Sequence, residues 1–260
     1  MAPENDPLSR AAKDAAPAAA PQLRAAVYLL PVPLSTGSPA NVLPQLNMAL
    51  MAGIRHFAVE NLRSARRFLR AAMPSFPIDY CTFAELSEHT PLQQVDAMLQ
   101  PVRQGFSLGV ISEAGCPAVA DPGAALVAAA QSAGMEVIPL VGPSSIIMSL
   151  MASGFNGQNF AFCGYLPVED DKRVRAIRQL ERQVAKGQTQ IFIETPYRNN
   201  RLLQTLARTL ADTTLLCVAC DITGPAQSIV TLPAKAWRSR RYDYNKLPAI
   251  FLLGTPALHP

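Results

Sequence analysis

From Ala25 to Gly254, apolar runs of strand length alternate with stretches patterned at the helical period, and nothing else constrains the fold of this chain as strongly. A run of four to eight apolar residues, then a helix, then another such run is how a parallel or mixed sheet covered by helices is written in sequence. The expected class is α/β. Hydrophobic residues make up 49% of the chain and charged residues 16%, enough to fill such cores, which excludes a disordered or collagen-like chain. At 260 residues, two modest lobes are a better expectation than one domain.

The segment Ala25–Val32 reads as a buried first strand, and Ser38 with Pro39 opens a helix that runs to Gly53, with Pro44 a point of kinking inside it. His56–Glu60 is a short strand. A helix follows with Leu62, Ala65, Phe68, Leu69 and Ala72 on one side and Arg63, Arg66, Arg67 and Arg70 elsewhere, either a solvated face or a phosphate-contacting one. A strand is expected near Ile78–Phe83, a helix starting at Thr90-Pro91, and a central strand at Ser107–Ser112.

Two loops then stand out. Glu113 to Gly123 lies between the central strand and an Ala-rich helix that ends at Gly134, and Asp121 with Pro122 offers that helix a cap and a first turn. It is longer than an ordinary connection and carries two glycines, as a binding loop would. After a strand at Met135–Val141, Gly142-Pro143-Ser144-Ser145 repeats the pattern before an apolar helix. If both strands are parallel, the two loops open at one sheet edge, where open α/β sheets bind ligands.

Gly154–Gln158 is the expected connector, dividing a first lobe at 25–154 from a second at 155–260, with an Ala/Pro-rich flexible tail at 1–24. Strand-like and helical segments continue beyond it: Asn159–Pro167, a charged helix near 169–186, Thr189–Thr195, a helix from Pro196, Thr214–Ile222, Gln227–Leu232 and Pro248–Gly254.

Lys and Arg number 23 against 19 Asp and Glu, a net +4 that permits contact with nucleic acid without announcing it. Five cysteines, an odd and scattered set, suit a reducing cytoplasm. Cys217 and Cys220 have the CxxC spacing, but three residues apart on a strand they face opposite ways, and His56, His89 and His259 are dispersed, so no metal is expected. The greasiest stretch, Val137–Gly154, is broken by Pro139, Gly142, Pro143 and serines, so no membrane span is expected. Neither phosphate-loop nor dinucleotide nor serine-hydrolase motifs occur.

The segments Ser112–Gly123, Val141–Ser145, Gly164–Pro167, Glu194–Arg198 and Leu247–Gly254 together resemble the tetrapyrrole-methylase superfamily of S-adenosylmethionine-dependent methyltransferases, and within it the 16S rRNA cytidine 2′-O-methyltransferase branch. The resemblance implies two α/β lobes with S-adenosyl-L-methionine in the cleft between them and a cytoplasmic homodimer acting on ribosomal RNA or the small ribosomal subunit. It implies cofactor contacts from Val32, Pro33, Glu113, Ala114, Gly115, Asp121, Ser144, Ser145, Tyr165, Leu166, Pro248 and Ala249, and leaves Glu60 and Arg63 as catalytic candidates on the substrate side. The chain departs from the branch at Pro33–Gly37, Val59–Arg63 and Cys220–Gly224, all substrate-side segments, where an acid and basic residues are lost. A small tetrapyrrole-like acceptor, or cofactor binding without catalysis, therefore stays open as an alternative.

Overall fold

The structure is a computed structural model that describes residues 22–256; residues 1–21 of the expected tail lie outside the described residues. Its first sheet is built by β1 (Val27–Leu29), β2 (His56–Val59), β3 (Thr82–Glu85), β4 (Leu108–Ile111) and β5 (Val137–Pro139) in the order β3-β2-β4-β1-β5. All four pairings are parallel. β4 is buried at every position and sits in the middle, as its uninterrupted apolar run requires. One face is covered by α1 (Gln45–Met51) and α2 (Leu62–Ala72), through Leu50, Met51 and Leu69. The other packs on α3 (Leu92–Ala97) and α5 (Gly123–Ser132), through Val95, Leu126 and Ala130; a short α4 (Gln100–Arg103) lies between them in sequence.

The second sheet is mixed. β6 (Phe160–Tyr165), β7 (Thr189–Ile193), β8 (Leu215–Cys220), β9 (Ser228–Pro233) and β10 (Ala249–Gly254) run in the order β6-β7-β10-β8-β9, with β6 and β7 parallel and the other pairs antiparallel. On one face α7 (Asp170–Val184), α8 (Asn199–Thr209) and α9 (Ala234–Ser239) build a core around Phe192, Phe251 and Trp237. The opposite face takes α6 (Ser145–Ser153), the helix that leaves β5 of the first sheet, through Ile146 and Leu150. Thus α6 begins at the edge of one sheet and packs on the other. Cys217 and Cys220 point into these two different cores, fully buried, and burial pushes both thiols up to about 11.

Several local expectations shift. The expected helix from Ser38 to Gly53 is two pieces, a 3-10 turn at Pro39–Asn41 and α1 after Pro44. Likewise Pro91, expected inside the first turn, precedes α3. In both cases the proline ring disfavours the α region for the residue before it, and Pro44 (ψ 148°) and Pro91 (ψ 144°) are themselves extended, so each helix begins one residue later. Ile78 falls in a 3-10 turn rather than a strand, and β3 starts at Thr82.

Candidate active site

Connections from β1 and β4 leave toward opposite faces of the sheet, β1 leading into α1 and β4 into α5. Adjacent parallel strands that part in this way leave a crevice beyond their carboxyl ends. The two loops are joined there: Val32 N donates to the Gly115 carbonyl at 2.9 Å and Gly115 N returns a bond to the Val32 carbonyl at 3.1 Å. Gly115 has φ 74°, which a side chain rarely adopts.

Beyond that bridge the loop is held by one carboxylate. Asp121 Oδ1 accepts from Ala118 N at 2.9 Å and from Gly123 N at 2.7 Å. Ala118 (φ 67°) and Ala120 (φ 60°) both stand in the left-handed region, a conformation disfavoured by roughly 1–2 kcal/mol per residue outside glycine. Strain of this kind survives only where the surroundings enforce it, and it gathers at ligand sites. Asp121 therefore shapes the loop and also holds the first amide of α5, Gly123 N, from the residue before Pro122.

The loop faces the second sheet across a cleft of about 310 Å³. Ile193, Ala219, Ile222 and Ile250 make an apolar wall, with Leu34 from the first lobe, while Glu60, Glu113, Asp121 and Glu194 bring carboxylates to the lining. Glu194 is paired with Arg198, whose Nε and Nη2 lie 2.9 and 2.6 Å from Oε1. The other three meet no cationic side chain among the described residues. An apolar slot rimmed by uncompensated carboxylates favours a cation, because the low-dielectric walls strengthen its attraction.

Glu60, the residue after β2, accepts from Glu113 N at 2.9 Å. Burial pushes its carboxyl above the ordinary value; the Glu113 amide opposes this, and the charges of Asp121, Glu113 and Glu88 add to the rise. A second chamber of about 530 Å³ adjoins the cleft, sharing Leu34, Ser112, Glu113 and Ala114 with it, and reaches Ser64, Arg67 and Phe68 of α2. Ser112 Oγ is buried on the shared wall without a hydrogen-bond partner among the described residues. Such an orphan is costly unless something else satisfies it.

Of the expected site residues, Glu60, Glu113, Ala114, Asp121, Ser145, Tyr165, Pro248 and Ala249 come together in the cleft. Val32 and Pro33 line the adjoining chamber, and Gly115 holds the bridge between loops. The remaining three line neither the cleft nor the chamber. Ser144 Oγ caps α6, accepting from Ile147 N at 3.4 Å; Leu166 is packed in the core of the second lobe; Arg63 projects from the exposed face of α2. Ser112, Leu34, Glu194 and the isoleucine wall were not singled out individually by sequence. Ser112 and Glu194 carry a local signal, a polar residue ending a buried strand; the isoleucines carry none, since on their strands they read as core.

No protein-family model matches the chain. A Vibrio cholerae protein named ribosomal RNA small subunit methyltransferase I is 30% identical to it over 207 residues, covering 80% of this chain and 68% of that protein. The Escherichia coli protein of the same name is 28% identical with the same two shares. Among solved structures, the methyltransferase CobJ shares the fold, with a TM-score of 0.60 at 18% identity over 90% of this chain and 95% of that one.

Proposed function

The chain belongs to the ribosomal RNA small subunit methyltransferase I family, and from that membership we propose that it methylates small-subunit ribosomal RNA, at the ribose 2′-oxygen of a 16S cytidine, with S-adenosyl-L-methionine as donor. The observation that carries this reading is the cleft: an apolar slot between the lobes in which Glu60, Glu113 and Asp121 lack cationic partners among the described residues, next to a chamber that offers an arginine. A ligand with a sulfonium and an ammonium group matches those charges, an adenine matches the isoleucine wall, and a ribose hydroxyl or amide matches the unpartnered Ser112 Oγ.

The cofactor supplies a methyl group made electrophilic by its positive sulfur. The chain has to align an acceptor oxygen with it, exclude water and take a proton. Alignment falls to the strained loop of Glu113 to Asp121, fixed by the Asp121 bonds and the Val32–Gly115 bridge; such positioning supplies a large share of the barrier in a displacement of this kind. Water is kept from the back of the slot by Ile193, Ile222 and Ile250. Glu60 stands at the cleft wall with its carboxyl raised above the ordinary value by burial, and we assign it the proton of the acceptor hydroxyl. Arg67 in the adjoining chamber faces the entering phosphate backbone.

Among the described residues no helix is long and apolar enough to cross a membrane. We place the protein in the cytoplasm with its substrate, as a homodimer joined through α6, whose Ile147 and Met151 stand 44% and 78% exposed one turn apart beside Val141 at 74%. Light scattering on wild type and Met151→Glu would read dimer and monomer. The function itself is tested by transfer of labelled methyl groups to small subunits assembled without the modification. Wild type transfers label to the rRNA, and Glu60→Gln lowers the rate about 10²–10⁴-fold; no transfer by wild type overturns the reading.

A further inference from the structure

A concave surface of the second lobe, apart from the cleft, has no part in the chemistry above. It is a groove of about 500 Å³ between α8, α9 and the segment from Arg240 to Tyr244, and four arginines converge on it: Arg208, Arg238, Arg240 and Arg241. Arg238 is already committed, its Nη1 2.7 Å from Asp212 and its Nε donating to the Ala207 carbonyl at 2.8 Å. Arg208, Arg240 and Arg241 are exposed and meet no carboxylate among the described residues. The other acid nearby, Asp243, is occupied by Asn200 Nδ2 at 2.9 Å and Asn245 N at 3.1 Å.

Three unpaired guanidiniums brought to one groove from two elements repel one another, and a polyanion offsets that cost. The floor is rigid. Trp237 is buried with its indole N–H on the Leu216 carbonyl at 3.0 Å, the Arg240 guanidinium carbon lies 5.6 Å from the Trp237 ring centre, and Tyr242 stacks on Tyr244 at 5.8 Å. With the indole buried and the half-buried Tyr242 already stacked on Tyr244, the groove offers chiefly charge, which suits phosphates better than bases. The segment is also tied to the cleft: Asn199 Nδ2 donates to the carbonyls of Tyr244 and Leu247 at 2.9 and 2.7 Å, Lys246 N donates to the Pro196 carbonyl at 3.0 Å, and Pro248 lines the cleft.

Resting on the reading of the protein as an rRNA methyltransferase, we propose that this groove is a second RNA-docking site, which grips the phosphate backbone away from the methyl-transfer cleft and sets the distance from which the acceptor strand enters it. Recognition there is by charge and is indifferent to sequence.

The test measures binding of wild type and the triple variant Arg208→Ala, Arg240→Ala, Arg241→Ala to small-subunit rRNA fragments and to the assembled subunit, from low to physiological salt. Cofactor affinity by calorimetry and a circular dichroism spectrum are read on the same preparations. The expected result is a log–log salt slope shallower by about two to three units and an affinity at physiological salt lowered roughly tenfold or more, with cofactor affinity and spectrum unchanged. A triple variant that matches wild type in slope and affinity, while wild type binds RNA, overturns the groove and leaves the rRNA reading standing. Wild type that binds neither fragment nor subunit at low salt overturns the rRNA reading first. A triple variant that loses binding to poly-glutamate but keeps RNA assigns the groove to an acidic protein and also overturns the proposal.

Discussion

Glu60 shows how much of a site depends on one side chain's surroundings. Its carboxyl is raised from 4.5, first by burial and then by neighbouring acids. A group whose folded pKa is raised contributes stability in full below its unfolded value and loses that contribution as pH rises through the folded value, so at neutral pH the ionised Glu60 is a burden to the fold. Glu60→Gln keeps an oxygen for the Glu113 N–H and removes the charge. The variant is therefore expected to melt above wild type at neutral pH, with the difference shrinking as pH falls through the raised value toward 4.5, while its methyl transfer collapses. Thermal scans across that window check the first part; a difference that does not change with pH would show that Glu60 carries no raised pKa. The resemblance at Val59–Arg63 nominates Glu60, but the raising comes first from burial and then from Asp121 and Glu113 on another loop, and only the fold supplies either. The isoleucine wall is harder still: Ile193 and Ile250 sit in strands whose other residues face a helical core, and nothing local tells which face meets the cleft.

At the scale of elements, glycine and proline punctuation was readable and strand counting nearly so, because loop chemistry is local. The two loops that reach the cleft, the central position of β4 and the cap by Ser144 follow from turn residues next to apolar runs. Helix starts at prolines were misread by a residue or more, since a proline fits either the first turn or the extended residue before it. The short α9 was absent from the sequence reading; its six residues are too few to establish a period, and its helicity depends on Trp237 being seated in the core. The packing of α6 on the second sheet was equally hidden, as its apolar surface is not confined to one stripe. One prediction belongs here. Gly142 turns the chain from β5 into the loop before α6 directly against β1's exit, so a methyl at that position would overlap the Pro31 ring, which cannot swing aside as a long side chain can. Gly142→Ala should lower stability by about 1–3 kcal/mol as overpacking does, read as a lower urea midpoint with an unchanged slope. An unchanged midpoint would mean that the β1 exit yields freely, and the crevice beside it would lose its claim to be preformed.

For the whole molecule, the question is how a chain with a net charge of only +4 would hold the RNA proposed as its substrate. The answer lies in where its arginines are spent. Arg198 is paired with Glu194 of the cleft wall, so it is not available for phosphate. The arginines of α2 are exposed and unpaired among the described residues, yet they are not equivalent: Arg66 lies over the Phe83 ring at 5.2 Å, whereas Arg67 lines the chamber next to the cofactor cleft. Both should add to the salt dependence of RNA binding, about one phosphate each. Only Arg67 stands where an acceptor must pass, so Arg67→Ala should also lower the methyl-transfer rate at saturating RNA, and Arg66→Ala should leave that rate alone. Arg198→Ala should do the reverse of Arg66→Ala, leaving the salt slope unchanged while weakening cofactor binding, because Glu194 loses its partner in the wall. Salt titrations of RNA affinity, single-turnover rates and cofactor calorimetry on the three variants separate these effects. Equal slopes and rates for Arg66→Ala, Arg67→Ala and wild type would remove α2 from the RNA path and leave the face of the second lobe to bear the phosphate contacts alone.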